Sequence, residues 1–411
     1  MVIIGAGEAG ARAAEELRKQ GYEGSITLIG REPGVSYERP PLSKEQLLEE
    51  NQPEPRPIVA PERLKELNVG LRSGAEAAGI DRPAHEVVLA NGERLAYERL
   101  LLATGASPRR LMLPGSDTSG FLYLRTFDDA LHIRARLQAK HRIVVIGGGF
   151  IGLETAASAR RSGCEVTVLE VGPRILMRGV PQQIADAVLQ LHVSEGVVFK
   201  LGQGISKVEH GQDGYQITLA DGTCLACDTV IAGIGAIPDV AVAEGCGLQT
   251  ENGICTDGQL RTDDPDIYAA GDCCAFNHAL YGGKRLRLES WRNAQDQGIH
   301  AARNMLGATA AYTAVPWFWS DQYDDTLQVA GLPDYGTLTV QRDGGKNAFY
   351  FHLTNDHRLV GASAIGPGIA KDIRLSEMLI EKGAVLSPQQ LADPSLKLKQ
   401  VLNELTQQEA Y

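Results

Sequence analysis

The chain has 411 residues, 43% of them apolar and 22% charged, the balance of an ordinary globular protein too long for one compact core. A formal net charge of −11 with no offsetting basic tract argues against nucleic acid as the main partner. No stretch is long enough to cross a bilayer and no basic-then-apolar leader precedes the first strand, so a cytoplasmic protein is expected.

The first unit reads as a strand (Val2–Ile4), a glycine loop, a helix (Ala9–Gln20) closed by Gly21, and a second strand (Ser25–Ile29). Glu86–Leu89 and Leu95–Tyr97 flank the turn Asn91-Gly92, a hairpin signal, and Arg99–Ala103 reads as a buried parallel strand ending in Thr104-Gly105. Pro108-Arg109-Arg110 looks like a linker. The pattern then repeats: a strand (Ile143–Ile146), a glycine loop, a helix (Ile151–Ser162) stopped by Gly163, and a strand (Glu165–Leu169). A hairpin about Asp221-Gly222 and a last strand (Asp228–Ala232) lead to Gly233-Ile234-Gly235. A further strand ends in Ala269-Ala270-Gly271-Asp272, and a helix is expected over Asn293–Leu306. Beyond Pro316 the texture becomes antiparallel, with strands at Leu327–Gly331, Thr337–Arg342, Ala348–Thr354 and Leu359–Ile365. Tight turns are read at Asp343-Gly344-Gly345 and Asn355-Asp356, then an amphipathic helix (Ile369–Glu381) and a short tail.

The two glycine loops carry the chemistry. Gly5-Ala6-Gly7-Glu8-Ala9-Gly10 and Gly147-Gly148-Gly149-Phe150-Ile151-Gly152 each have the Gly-x-Gly-x-x-Gly form inside a strand–turn–helix–strand unit. Glycine there permits the tight turn and close backbone approach that seat a pyrophosphate on a helix N-terminus. One such loop is weak evidence, whereas two intact units point to two dinucleotides and electron transfer between them. Glu170 ends the second unit's strand, where a carboxylate accepts hydrogen bonds from an adenosine ribose diol and repels a 2′-phosphate. NADH is therefore favoured over NADPH, with Arg174 and Arg178 nearby as the counter-argument. In the first unit Arg31 occupies the expected acidic position. Either Glu32 takes the ribose contact, or Arg31 lies along the adenine, or Arg31 is simply solvated.

Seven cysteines, odd in number and unevenly placed, do not form a disulfide framework, and Cys224-Leu225-Ala226-Cys227 has no second pair at zinc-ribbon spacing. Nine histidines show no H-x-x-x-H pattern, and no metal is expected. The first cysteine is Cys164, in the second unit. Flavoprotein disulfide reductases need a cysteine beside the flavin in the first, so electrons are expected to leave for an external acceptor.

Tyr37-Glu38-Arg39-Pro40-Pro41-Leu42-Ser43-Lys44, Ala103-Thr104-Gly105, Leu124-Arg125-Thr126, Gly152-Leu153-Glu154, Ala270-Gly271-Asp272 and Pro316-Trp317-Phe318-Trp319-Ser320-Asp321-Gln322 occur in this order. Together they resemble, over essentially the whole chain, the FAD- and NADH-dependent ferredoxin reductases of bacterial oxygenase systems, of the putidaredoxin reductase and biphenyl dioxygenase reductase type. The resemblance implies an α/β fold of two Rossmann-like, glutathione-reductase-like dinucleotide domains plus a C-terminal α+β domain. FAD would take residues 1–108 and 239–313, NADH residues 109–238, and the C-terminal domain residues 314–411. Arg31 is the departure, since the family usually has an acid there.

By that resemblance Ala9, Lys44, Ala77, Arg125, Asp272 and Trp291 line the FAD, with Asp272 on the ribityl chain, and Lys44 pairs with Glu154 beside the flavin N5. Ala103, Thr104 and Gly105 join the FAD contacts. A fixed cation suits the negative charge that hydride transfer leaves on the ring. Trp319 is placed near the flavin toward the ferredoxin, although a Trp-x-Trp pair is more often core. Glu289 is a candidate contact for the nicotinamide carboxamide, and Gly147, Gly149, Ile151, Gly152, Glu170 and Gly235 complete the NADH site. The implied partner is a [2Fe–2S] ferredoxin feeding a Rieske oxygenase or cytochrome P450, met by a basic patch drawn from Lys284, Arg285, Arg287 and Arg292; the protein itself is read as a monomer or homodimer. A rubredoxin reductase, or an NADH-sensing interaction flavoprotein like apoptosis-inducing factor, are the alternatives.

Overall fold

The computed structural model describes residues 1–49, 51–344 and 347–408. Gly345, the end of the turn read at Asp343-Gly344-Gly345, lies outside the described residues. The chain divides into two compact units, residues 1–39, 54–107 and 236–314, and residues 40–53, 108–235 and 315–411.

The first unit is built on a parallel sheet of five strands in the spatial order Ile267–Ala269, Leu100–Leu102, Val2–Ile4, Ile26–Gly30, Val69–Ser73. This is the doubly wound order of a dinucleotide-binding sheet, with the glycine loop leaving its central strand. Central strands are covered on both faces, which is why Val2, Ile3, Ile4 and Leu100 to Leu102 are apolar without alternation. The helix Glu8–Lys19 packs against the helix Trp291–Met305. They come close at Gly298, where a Cβ would stand 2.2 Å from the carbonyl oxygen of Ala9. The hairpin at Asn91-Gly92 forms as read and gains a third strand, Ala77–Asp81.

In the second unit the strands Val198–Leu201, Glu165–Glu170, Arg142–Ile146 and Thr229–Ala232 make a second parallel sheet in that order. A separate antiparallel sheet, Ile205–Gly211, Gly214–Leu219 and Cys224–Cys227, holds the Asp221-Gly222 turn. The C-terminal sheet is antiparallel throughout, ordered Trp317–Gln322, Asp325–Gly331, Leu359–Ile365, Asn347–Leu353, Leu338–Gly344. It shares a hydrophobic core with the dinucleotide half: Leu327, Val329, Tyr350 and Ile365 are buried with Leu153, Ile175, Ile184 and Val188.

The regular elements read from sequence are present with ends shifted by a residue or two. Elements marked by neither a turn nor a glycine loop were missed: the helix Gln182–Ser194, which starts at Pro181 without a side-chain cap, and the helix Phe127–Arg134, whose Thr126–Asp129 capping box was available in the sequence. The short tail holds two further helices, Pro388–Ala392 and Leu398–Gln408. Among the described residues no helix is long and apolar enough to cross a membrane.

Gly298→Ala should be strongly destabilising. The new methyl would press on the Ala9 carbonyl, and overpacking costs of about 1–3 kcal/mol exceed the helix-propensity gain of up to ~1 kcal/mol. Chemical denaturation checks this; an unchanged midpoint would mean the two helices can separate freely.

Candidate functional site

The candidate residues divide between the units. In the first, Gly5 adopts φ +113°, and a Cβ there would lie 2.0 Å from the carbonyl oxygen of Ala103. In the second, Gly147 adopts φ +105° against the carbonyl of Gly233 at 2.4 Å. The two loops are therefore the same device, a backbone crossing pressed against the end of the neighbouring strand. Both following helices start on an extended glycine, Gly7 or Gly149, with no side-chain cap. Their first amide groups are left to an anion, which the helix dipole also favours.

Around the first loop, Ala9 and Gly10 are buried in the helix Glu8–Lys19. Ala103, Thr104 and Gly105 follow the strand Leu100–Leu102; Thr104 donates to the carbonyl of Asp239 at 2.5 Å, and Gly105 accepts from its amide at 2.9 Å. Arg31 is largely exposed, its guanidinium 3.9 Å from Asp239. Glu32 accepts from the Tyr37 hydroxyl and from Arg39 at 2.5 Å, so it sits in a polar cluster of its own chain. Ala77 begins the strand Ala77–Asp81. Asp272 follows Gly271, whose amide donates to Gln297 Oε1 at 2.8 Å, and Trp291 opens the helix Trp291–Met305. Two buried polar atoms, Glu8 Oε2 at the loop and Gln297 Nε2 beside Gly271, have no hydrogen-bond partner among the described residues. Uncapped amides together with the orphaned buried Gln297 donor fit a polar, phosphate-bearing cofactor such as FAD. Glu289 faces Arg287 at 2.7 Å.

Around the second loop, Glu170 takes the amide of Gly148 at 2.7 Å and that of Gly172 at 2.6 Å. This carboxylate fixes the loop itself, a role unseen in the sequence, and each of its oxygens keeps a further lone pair. Arg174, the nearest argument for a 2′-phosphate, donates instead to the carbonyls of Ile175, Leu176 and Val180 at 3.1, 2.8 and 3.1 Å. The guanidinium of Arg178 stands 3.3 Å from where a Cβ of Gly235 would be. Gly152 packs on the Gly147 carbonyl, Ile151 is half exposed on the first helical turn, and Arg125 donates its amide to Asp129 at 3.0 Å.

The second unit also assembles the charged centre. Lys44 follows the short 3-10 helix Pro40–Ser43, Glu154 lies one turn into the helix Phe150–Arg161, and Asp321 and Trp319 come from the strand Trp317–Gln322. The Lys44 ammonium lies 3.5 Å from Glu154 and 2.9 Å from Asp321. Asp321 Oδ2 also accepts from the Trp319 indole at 3.1 Å, and Oδ1 from Thr326 at 3.1 Å. Lys44 stands 5.2 Å over the Trp319 ring, which stacks on Trp317 at 5.4 Å. Glu154 is buried, and its carboxylate accepts from the hydroxyls of Ser43 and, at 2.5 Å, Ser320. Burial pushes its pKa up, against the pull of Lys44, Ser320 and Ser43.

Asp321, Ser43 and Ser320 were missed as site residues although they stand inside the strings quoted above. Strand alternation could have found Asp321, which shares a face with Trp317 and Trp319. Nothing local marks the serines. The basic candidates Arg285, Arg287 and Arg292 each face a carboxylate of their own chain, Glu251, Glu289 and Asp296, at 3.5, 2.7 and 3.7 Å. Cys224 is exposed while Cys227 is buried on the other side of its strand, with burial pushing the Cys227 thiol up to about 12.

Two glycine-loop sheets with uncapped helices, and a lysine held by carboxylates, define a dinucleotide-dependent oxidoreductase. The chain belongs to the pyridine nucleotide-disulphide oxidoreductase family, whose model matches residues 1–298, and residues 317–402 match the reductase C-terminal domain. It is 40% identical to the ferredoxin–NAD(+) reductase component of the anthranilate 1,2-dioxygenase system of Burkholderia cepacia, covering 98% of each chain. It is 36% identical to putidaredoxin reductase of Pseudomonas putida, over 98% of this chain and 96% of that one. Among solved structures it resembles the covalent putidaredoxin reductase–putidaredoxin complex, with a TM-score of 0.93, 35% identity and 98% coverage of both chains. The ferredoxin reductase of the CYP199A2 system of Rhodopseudomonas palustris matches with a TM-score of 0.92 at 36% identity, over 98% of this chain and 99% of that one.

The two carboxylates around Lys44 should differ in their effect on stability. Glu154→Ala leaves two buried hydroxyls without an acceptor and should cost about 3 kcal/mol, whereas Asp321→Asn, at a half-exposed pair, should cost under ~1 kcal/mol. Equal shifts in urea midpoint would contradict this ranking.

Proposed function

We propose that this protein is an NADH-dependent ferredoxin reductase that carries electrons through FAD to a [2Fe–2S] ferredoxin, which in turn supplies a Rieske oxygenase or a cytochrome P450. The observation that carries the reading is the Lys44 centre in a chain with two dinucleotide loops and no cysteine before Cys164. The FAD supplies what nicotinamide cannot, accepting a hydride and releasing the electrons singly. One NADH therefore serves two ferredoxins.

In this reading residues 1–108 and 239–313 form the FAD domain, 109–238 the NADH domain and 314–411 the C-terminal domain. Gly5, Gly7, Ala9 and Gly10 present backbone amides to the FAD pyrophosphate, while Asp272, Ala77, Ala103, Thr104, Gly105, Arg125 and Trp291 hold the rest of the cofactor. Arg31 and Glu32 remain the two candidates at the FAD ribose, and Glu32 is the one already engaged by Tyr37 and Arg39. Gly147, Gly149, Ile151, Gly152 and Gly235 take NADH, with Glu170 on its ribose and Glu289 on its carboxamide. Lys44, held in place by Glu154, supplies the positive charge that stabilises the reduced ring, and Trp319 stands on the ferredoxin side. A cytoplasmic location suits a protein that draws on the NADH pool.

Lys44→Met should slow NADH-driven flavin reduction by roughly 10²-fold in stopped-flow measurements; an unchanged rate removes Lys44 from the mechanism. Steady ferredoxin-dependent reduction of cytochrome c distinguishes a reductase from an NADH sensor, which would turn over slowly with or without ferredoxin. Glu170→Ala should narrow the ratio of kcat/KM between NADH and NADPH by about tenfold, the scale of one lost polar discrimination, and an unaltered ratio would exclude the ribose contact.

A further inference from the structure

Behind Glu154, Ser320, Gln322 and His192 are each 0% exposed. Buried polar groups persist where they are hydrogen-bonded, and these bond to one another in a row. Ser320 Oγ lies 2.5 Å from Glu154 Oε1, Gln322 Nε2 2.8 Å from Ser320 Oγ, and His192 Nε2 2.8 Å from Gln322 Oε1. The Tyr323 hydroxyl approaches His192 Nδ1 at 3.5 Å, long for a hydrogen bond. The row crosses three elements: the helix Phe150–Arg161, the inward face of the strand Trp317–Gln322 and the helix Gln182–Ser194. The His192 ring is set edge-on to Phe199 and to Tyr323, with centroids 6.0 and 5.0 Å away.

The row has a direction. An ionised carboxylate only accepts, so Ser320 gives its single hydroxyl proton to Glu154. Its oxygen then accepts from Gln322, which turns the amide nitrogen toward Ser320 and the amide oxygen toward His192. That oxygen needs a donor, so His192 carries its proton on Nε2 and leaves Nδ1 as an acceptor facing Tyr323. Every donor points toward Glu154, and dipoles aligned in this way strengthen one another in a low dielectric. Protonating Glu154 on this oxygen would take away the acceptor of the buried Ser320 hydroxyl, whose proton would have to turn elsewhere, and would break the alignment of the row at its charged end. Burial lowers the His192 pKa, which agrees with a neutral ring.

We propose that His192 and Gln322 are positioning residues that hold Glu154 ionised, and with it the Lys44 ion pair, from a distance. The consequence for flavin reduction rests on the role given to Lys44 above. The charges facing Glu154 are Lys44 and, beyond it, Asp321; those bearing on Tyr323 at the far end are Glu195, Arg160 and Arg161.

The test compares His192→Leu, which keeps volume but removes the donor, with His192→Gln, which keeps an N–H, both in the FAD-loaded protein. The readout is an infrared pH titration of the protonated Glu154 carboxyl band, assigned by its loss in Glu154→Gln. In His192→Leu the midpoint should rise by roughly one pH unit, the scale of one weakened hydrogen bond to a charged group, and in His192→Gln it should stay at the parent value. Flavin reduction by NADH near neutral pH should slow several-fold in the first variant, with KM for NADH unchanged. A midpoint in His192→Leu equal to the parent's overturns the proposal whatever the rate does. A midpoint that rises with no change in reduction rate supports the row and instead counts against Lys44 and Glu154 in hydride transfer. Should His192→Leu fail to fold, Gln322→Met removes the donor to Ser320 with little change of volume; the same rise is expected, and its absence overturns the proposal.

Discussion

A carboxylate almost out of reach of water governs the second unit. Ionised Glu154 is tolerable only with its lone pairs satisfied, and the chain meets that demand from three directions: Ser43, Ser320 and the Lys44 ammonium. Ser43 and Lys44 are neighbours on one segment, and Ser320 comes from the strand Trp317–Gln322. The segment 40–53 is drawn into the unit with residues 108–235, and the C-terminal sheet lays its first strand against the same helix. Burial of Leu153 with Leu327, Val329 and Ile365 supplies the apolar contact that holds this arrangement together.

The same centre explains why two carboxylates attend one lysine. Glu154 is buried and fixed, whereas Asp321 is half exposed and links Lys44 to the Trp319 indole. An ammonium with both partners has little rotational freedom, so its charge is fixed in place. The glycine loops supply the complementary part, rigid backbone amides whose approach distances no side chain permits.

Much of the architecture was legible because it is written locally. The two loops, their flanking apolar strands and the hairpins at Asn91-Gly92 and Asp221-Gly222 follow from glycine conformations and two-residue alternation. Glu170 was legible as a carboxylate at a strand end, but not as the clamp on Gly148 and Gly172, because its rotamer depends on the turn that follows. Lys44 and Glu154 were brought together only by the family pattern; their separation in sequence carries no physical signal. The helix Gln182–Ser194 carries no cap or glycine loop to mark it, although Ile184, Ala185 and Val188 share one buried face, and the place of His192 on that helix is set by packing alone.

What the sequence by itself determined is the set of local geometries: two glycine loops, the strands that lead into them and the absence of any cysteine before Cys164. These depend on interactions spanning a few residues, where backbone sterics and side-chain period dominate. Only the tertiary structure decided that Lys44 is shared with Asp321, 277 positions away, that Ser43 meets Glu154 across 111 positions, and that His192 and Gln322 stand behind them. Such pairings are set by how packed elements close on one another, and a buried charge accepts whichever donors that packing brings within reach.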